Sequence, residues 1–356
     1  MPHANIEKET STYFRLTAHD SQAAIHPSCL TVVDQIPQMH RKIDVTINLP
    51  DDLCTNYFHD ISSRDATVSY KIHHLNCATL CPQGSKIITG KGTLFENALL
   101  SCHCLLIESS DGLILVDTGF GIQDMHSIER MGVGAARALN PKQLPQETAV
   151  RQLESRGFKR EDVRHIILTH LDVDHAGGIA DFPNAQVHLL EAEHSAATKP
   201  QSLQEKFRYQ RAMWSHNPLW QLHKPEGETW FGFDSVRMLD NSLHDILLIP
   251  LLGHSRGHCG VAVASDDGWL LHCGDAYFHK GEMNLAKPKG TLGSSLIQAM
   301  DDTNRKQRIS NQRRLRELKR SQGNATGGIT LFCSHDHDEF DECASCKPRR
   351  LTTHTQ

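Results

Sequence analysis

The chain has 356 residues, enough for one large domain with an appendage. Its formal net charge of -5 at pH 7 is not that of a protein living on phosphate backbones, so no nucleic-acid partner is expected. No run approaches the length needed to span a bilayer, which removes a membrane partner. The first twenty residues carry Glu7, Lys8, Glu9, Arg15 and Asp20 with no apolar secretory core. A cytoplasmic location is therefore expected, with most of the 11 cysteines reduced. Hydrophobic residues make up 38% of the chain and gather in clear blocks, so a sizeable core is possible.

Residues 1–65 are weakly patterned, with one short strand candidate at Val45–Leu49, and read as a partly ordered N-terminal extension. From Ser69 the texture changes. Tyr70–Leu75 reads as a strand, and Asn97–Glu108 contains another. Asp111-Gly112 is a tight-turn signal before Leu113–Val116, so these two strands form a hairpin. Glu147–Arg156 is helical, with apolar Ala149, Val150 and Leu153. Val163–Leu168 ends in a continuous apolar run, as expected of a strand covered on both faces, and Gln186–Leu190 is the next strand. Residues 191–230 form a polar and aromatic insertion with Phe207, Tyr209, Trp214, Trp220 and Trp230. It reads as either a lid or a surface excursion whose aromatics pack onto the core. Strands resume at Ser235–Leu239, Ile246–Leu251, Cys259–Ser265 and Trp269–Cys273. One long helical region covers Ser294–Gln322, Ile329–Cys333 is the last strand, and 343–356 is a polar tail. This order, without strict alternation of strand and helix, suits an α/β fold of two sheets sandwiched between helices, over residues 66–342.

The chemistry gathers beyond strand ends. His170-Leu171-Asp172-Val173-Asp174-His175 places four metal-ligand types in six positions, directly after a buried-type strand. Imidazole and carboxylate reach a metal at about 2.0–2.2 Å, so ligands this dense are what two neighbouring ions need. Gly177 and Gly178 are expected to let the backbone turn tightly beneath them. His254, Asp275 and His335 each follow a strand of their own, and Asp117-Thr118-Gly119 ends the hairpin. The 24 histidines supply the commonest metal ligand, and position decides which of them matter. Cys343 and Cys346 form a lone C-x-x-C, a weak sign of structural zinc that Cys77 and Cys81, or Cys102 and Cys104, would have to complete.

In this order the residues resemble the metallo-β-lactamase superfamily, whose fold is an αββα sandwich. The family's Asp-Thr-Gly matches Asp117-Thr118-Gly119, and its His-x-His-x-Asp-His matches His170 to His175. Its lone His, lone Asp and final His match His254, Asp275 and His335. The resemblance implies two divalent metal ions and a hydroxide bridging them. His170, Asp172 and His254 would face the first ion, Asp174, His175 and His335 the second, with Asp275 between and Asp117 orienting a ligand from behind. Asp172 stands where the family has histidine. Zinc remains the first choice, and the extra carboxylate shifts the balance toward harder ions such as Mn or Fe.

The function implied is metal-dependent hydrolysis of an ester, lactone or related acyl bond in a small-molecule substrate. Such ions bring bound water toward a pKa of about 7 and polarise the scissile carbonyl. Asp174 would orient the nucleophile or carry its proton, and Tyr277 would donate to the developing oxyanion. The stretch His170–Gly178 resembles that of lactonase-like members. Phosphoester hydrolysis on the same metals is the alternative reading, and a diiron redox role fits less well because no flavin domain follows residue 340. Oligomeric state is not legible.

Overall fold

A computed structural model describes residues 70–345, apart from 227, 238–242, 244, 266, 267 and 324–327. The N-terminal extension and Cys346 lie outside the described residues. The first sheet is built from β1 (Lys71–Leu80), β2 (Leu100–Ser109), β3 (Gly112–Val116), β4 (Val163–Ile167), β5 (Gln186–Leu190) and β6 (Leu219–His223), paired in that order. The second uses β7 (Glu228–Trp230), β8 (Phe233–Arg237), β9 (Ile246–Pro250), β10 (Cys259–Ser265), β11 (Gly268–His272) and β12 (Ile329–Phe332), in the order β12-β11-β10-β9-β8-β7. Both sheets are mixed. The β2–β3 hairpin turns at Ser109↔Gly112, as the Asp-Gly signal predicts, and β3, β4, β5 and β6 run parallel to one another.

The helices α1 (Ser85–Ile88), α2 (Ile122–His126), α3 (Val133–Leu139), α4 (Ala149–Ser155), α5 (Val173–Ala176), α6 (Glu191–Thr198) and α7 (Leu203–Arg208) precede or flank the strands of the first half. The helices α8 (Leu292–Asp301), α9 (Arg305–Gln322) and α10 (His337–Ser345) belong to the second. Among the described residues no helix is long and apolar enough to cross a membrane.

Strand alternation decides which layer each side chain enters. On β2, Leu105 and Ile107 join Ile114, Val116, Ile246, Leu248, Val261 and Phe332 between the two sheets. Leu106, from the same strand, points the other way and packs with Leu113, Leu115 and Val187 under Val150 and Leu153 of α4 and Ala196 of α6. On the far side, Leu247, Ile249 and Leu331 pack beneath Leu315 and Leu318 of α9. Two apolar faces per sheet give the αββα sandwich expected from the strand order, and explain why the strands read as continuous apolar runs.

Two elements differ from expectation. The stretch Ser294–Gln322 is two helices, broken at Asp302-Thr303-Asn304. Asn304 caps α9 by accepting from the Gln307 N–H at 3.2 Å, and the Asp302 carboxylate binds Arg308 Nε at 2.7 Å. The freed backbone of Thr303 and Asn304 donates to the carbonyls of His254 and Gly253. The insertion at 191–230 also carries regular structure, since β6 and β7 extend the two sheets at their edges. Trp230 and Tyr209 are buried, Trp214 and Trp220 pack against a core, and Phe207 is exposed.

Asp181, 7% exposed, accepts from the Ile122 N–H at 3.0 Å. Burial, helped by the Asp124 carboxylate, raises its pKa to about 6. A raised carboxyl favours the fold below the unfolded pKa of about 4, and that contribution is lost as pH rises through about 6. Asp181→Asn, which keeps an acceptor for Ile122, is expected to stabilise the protein at pH 8 by up to about 3 kcal/mol and to be neutral at pH 4. Urea unfolding at both pH values checks this, and an equal effect at the two would refute it.

Candidate metal centre

Five strand ends converge. Beyond β3, Asp117 adopts a left-handed backbone (φ 55°), rare for a residue with a side chain. Its carboxylate accepts from the backbone N–H and hydroxyl of Thr169, both at 2.8 Å, and from His175 Nδ1 at 2.8 Å. Burial opposes its charge, yet His175 outweighs this and holds the carboxyl below its usual range. A carboxylate only accepts, so His175 carries a proton on Nδ1 and turns Nε2 inward. The Thr169 hydroxyl, donating to Asp117, can only accept from His170 Nδ1 at 2.9 Å, and His335 Nδ1 donates to the Ser101 carbonyl at 2.8 Å. Three imidazoles thus have Nδ1 engaged and turn Nε2 to one place, the orientation a metal ligand requires.

Asp275 sits among them, 3% exposed. Its Oδ1 lies 3.4 Å from His175 Nε2 and 3.3 Å from His335 Nε2. Its Oδ2 lies 3.8 Å from His170 Nε2 and 3.4 Å from His254 Nε2. Asp174 Oδ2 is 3.4 Å from His335 Nε2, and Asp172 Oδ2 is 3.2 Å from both His170 Nε2 and His254 Nε2. Every residue expected to face the ions is therefore brought together. Among these protein groups alone, burial pulls His335 down, but the carboxylates of Asp275 and Asp174 prevail and hold it at about 9. His175 is raised in the same way. The carboxylates call for positive charge.

The fit to a metal is tested by the atoms left without partners. His170 Nε2, His175 Nε2 and Asp275 Oδ1 are buried and make no hydrogen bond, an arrangement costly for polar atoms unless an ion engages them. Ligand atoms of His170, His175 and Asp275, and again of His170, Asp172 and His254, lie within 4.8 Å of one another. The donors fit a divalent ion at the side of Asp174, His175 and His335. On the other side a guanidinium intervenes. Arg208 donates through Nε and Nη2 to both oxygens of Asp172 at 2.6 Å, and its Nη2 also meets His254 Nε2.

The loops are held by close backbone approaches. Gly253 has φ 132°, and a Cβ there would meet the Arg308 nitrogen at 2.4 Å. Gly178 lies in the tight 3-10 turn Gly177–Asp181, as expected. It is small because the Thr118 Cβ would stand 2.9 Å from a Cβ on it, seating the His175 segment against the Asp117 loop.

Several side chains lie elsewhere than the sequence suggests, or escape it. Tyr277 is fully buried and its hydroxyl donates to the Glu339 carboxylate at 3.0 Å, so it is not offered to a developing oxyanion. The half-buried Phe278 stands by the centre instead, with its ring 5.2 Å from that of His335. His258 supports its loop, donating to the Leu251 carbonyl and accepting the Asp275 N–H at 2.9 Å each. Cys102 lies with Asp174 and His335 rather than with Cys343, and burial, then Asp174, keeps its thiol pKa well up. Glu193 accepts from the Leu171 and Gly257 backbones, Ser255 and Tyr209, and so ties three loops. Neither Glu193 nor Arg208 belongs to a local motif. Only the charged residues of the insertion hint at them.

A two-sheet sandwich with imidazoles and carboxylates at its strand ends defines a class of metal-dependent hydrolases. Within it, the chain belongs to the metallo-beta-lactamase superfamily, whose family model matches residues 98–320. It is 43% identical over 274 residues to a "Probable metallo-hydrolase" of Mycobacterium tuberculosis, covering 76% of this chain and 81% of that one. It is 38% identical over 246 residues to an N-acyl homoserine lactonase of Bacillus cereus, covering 68% of this chain and 84% of that one. A crystal structure of a Bacillus thuringiensis protein with N-decanoyl-L-homoserine at its active site matches the fold with a TM-score of 0.58 at 21% identity, covering 78% of this chain and 97% of that one. The chain is accordingly a hydrolytic enzyme.

Proposed function

We propose that this enzyme hydrolyses an ester, lactone or related acyl bond of a small molecule, using divalent metal held by His170, Asp174, His175, His254, Asp275 and His335, with Asp172 on the side of His170 and His254. The observation that carries the reading is Asp275, whose two oxygens face two different histidine pairs. Bound there, metal supplies a nucleophile at neutral pH and polarises the substrate oxygen. Zinc suits a site with four imidazoles, and Mn or Fe are the alternatives. Asp117, through His175 and Thr169, keeps the Nε2 atoms aimed inward. Asp174 takes the proton lost by the attacking water and returns it to the leaving alkoxide. Beside His335, Ile88, Leu99, Leu100 and Phe278 share a small cleft with Lys91, Asp336 and Asp338. Similarity to the lactonases supports a lactone among the substrates. Seven buried free thiols among the described residues suit a cytoplasmic setting.

Elemental analysis of purified protein, with a screen over aryl esters, acyl-homoserine lactones, thioesters and bis-p-nitrophenyl phosphate, tests the proposal. The expected result is bound metal and turnover of an ester or lactone that a chelator abolishes. Turnover confined to the phosphodiester would overturn it.

A further inference from the structure

The two halves of the centre are not alike. On one side, Asp174, His175 and His335 face Asp275, and among the described residues no arginine or lysine pairs with these carboxylates. On the other, the Arg208 side chain is 8% exposed and reaches into the space between Asp172 and His254. Its Nε and Nη2 form a fork on Asp172 at 2.6 Å each, which occupies both carboxylate oxygens. Its Nη1 is fixed by the carbonyls of Asp301 at 2.7 Å and His254 at 3.0 Å, so the guanidinium is anchored on three sides. Nη2 also meets His254 Nε2, which lies 3.2 Å from the same Asp172 Oδ2 that Nη2 binds. That ring nitrogen and the Asp172 oxygens are what an ion on this side would coordinate.

Resting on the metal-dependent reading above, we infer that Arg208 competes with an ion for Asp172 and His254, so the chain holds one divalent ion tightly, on the side of Asp174, His175 and His335, and a second only weakly. Asp172 is what makes this possible. A histidine there would offer a cation no carboxylate fork, whereas a carboxylate pairs with arginine in two parallel hydrogen bonds. An ion at ligand distance from His254 and Asp172 also meets a fixed positive charge beside it, and the two repel in a buried setting. The guanidinium must leave its fork before that ion can settle.

Zinc titration of the full chain, followed by calorimetry and by elemental analysis after desalting, tests this. The expected result is about one zinc per chain after desalting, with a second zinc binding at least about 100-fold more weakly. Arg208→Gln is expected to retain two and to narrow the gap between the two dissociation constants at least about tenfold. Two equally tight ions in the unaltered chain would overturn the inference while leaving the metal-dependent reading intact. No bound zinc, manganese or iron would overturn both. The measurement on the unaltered chain decides the matter even if the variant fails to fold. A folded Arg208→Gln protein that keeps only one ion, or loses the first, would show Arg208 to be a support for Asp172 rather than a competitor.

Discussion

Asp275→Ala is expected to lower kcat/KM for the best ester or lactone by about 10³-fold or more, with loss of bound metal and no loss of fold. The size follows from position. Among the described residues Asp275 is the one carboxylate within 3.8 Å of four histidine Nε2 atoms, so its removal takes a ligand from both halves of the centre at once. Transition-state charge stabilisation by a metal is worth several kcal/mol, and each 1.36 kcal/mol is tenfold in rate. His258 would still hold the loop, because it accepts the backbone N–H of residue 275 and needs no side chain there. Circular dichroism and elemental analysis accompany the kinetics. A folded variant that retains metal and more than a tenth of the activity would refute the central role given to Asp275.

Glu193→Ala is expected to destabilise the protein by about 3–5 kcal/mol, the range reached when one acceptor leaves several buried donors unpaired. Glu193 is fully buried. One oxygen accepts from the Leu171 N–H at 3.1 Å and the Tyr209 hydroxyl at 3.0 Å, and the other from Ser255 at 2.6 Å and the Gly257 N–H at 3.0 Å. These donors belong to the loop carrying His170, the loop carrying His254, and the segment next to Arg208. Their release should loosen the centre as well as the fold. Glu193→Gln keeps one full acceptor and is expected to cost less than half as much. Urea unfolding measures both, and a change below about 1 kcal/mol for the alanine variant would mean that water replaces the carboxylate without penalty.

The parts of the centre differ in how they can be read. Ligand types in a run from His170 to His175, each further ligand placed just past an apolar strand, are visible because strand ends are marked locally by a change from apolar to polar residues. The core layers are visible for the same reason, since β2 alternates Leu105, Leu106 and Ile107 into two different interiors. The break between α8 and α9 escapes a local reading because Asp302-Thr303-Asn304 interrupts a helix only when Asn304 caps the next one and its neighbours reach the Gly253 loop. The expectation for Tyr277 fails because sequence proximity to Asp275 does not say which way a side chain faces, and its hydroxyl finds Glu339 in another layer.

By itself the amino-acid order determined the sandwich, the family and the residues able to hold metal, because periodicity and strand-end ligands are short-range properties. Only the tertiary structure decided that Arg208 meets Asp172, 36 residues away, and that Glu193 binds a loop 64 residues away. Such pairings depend on which segments the two sheets bring together in space, and a lone arginine or glutamate carries no local mark of the partner it will meet.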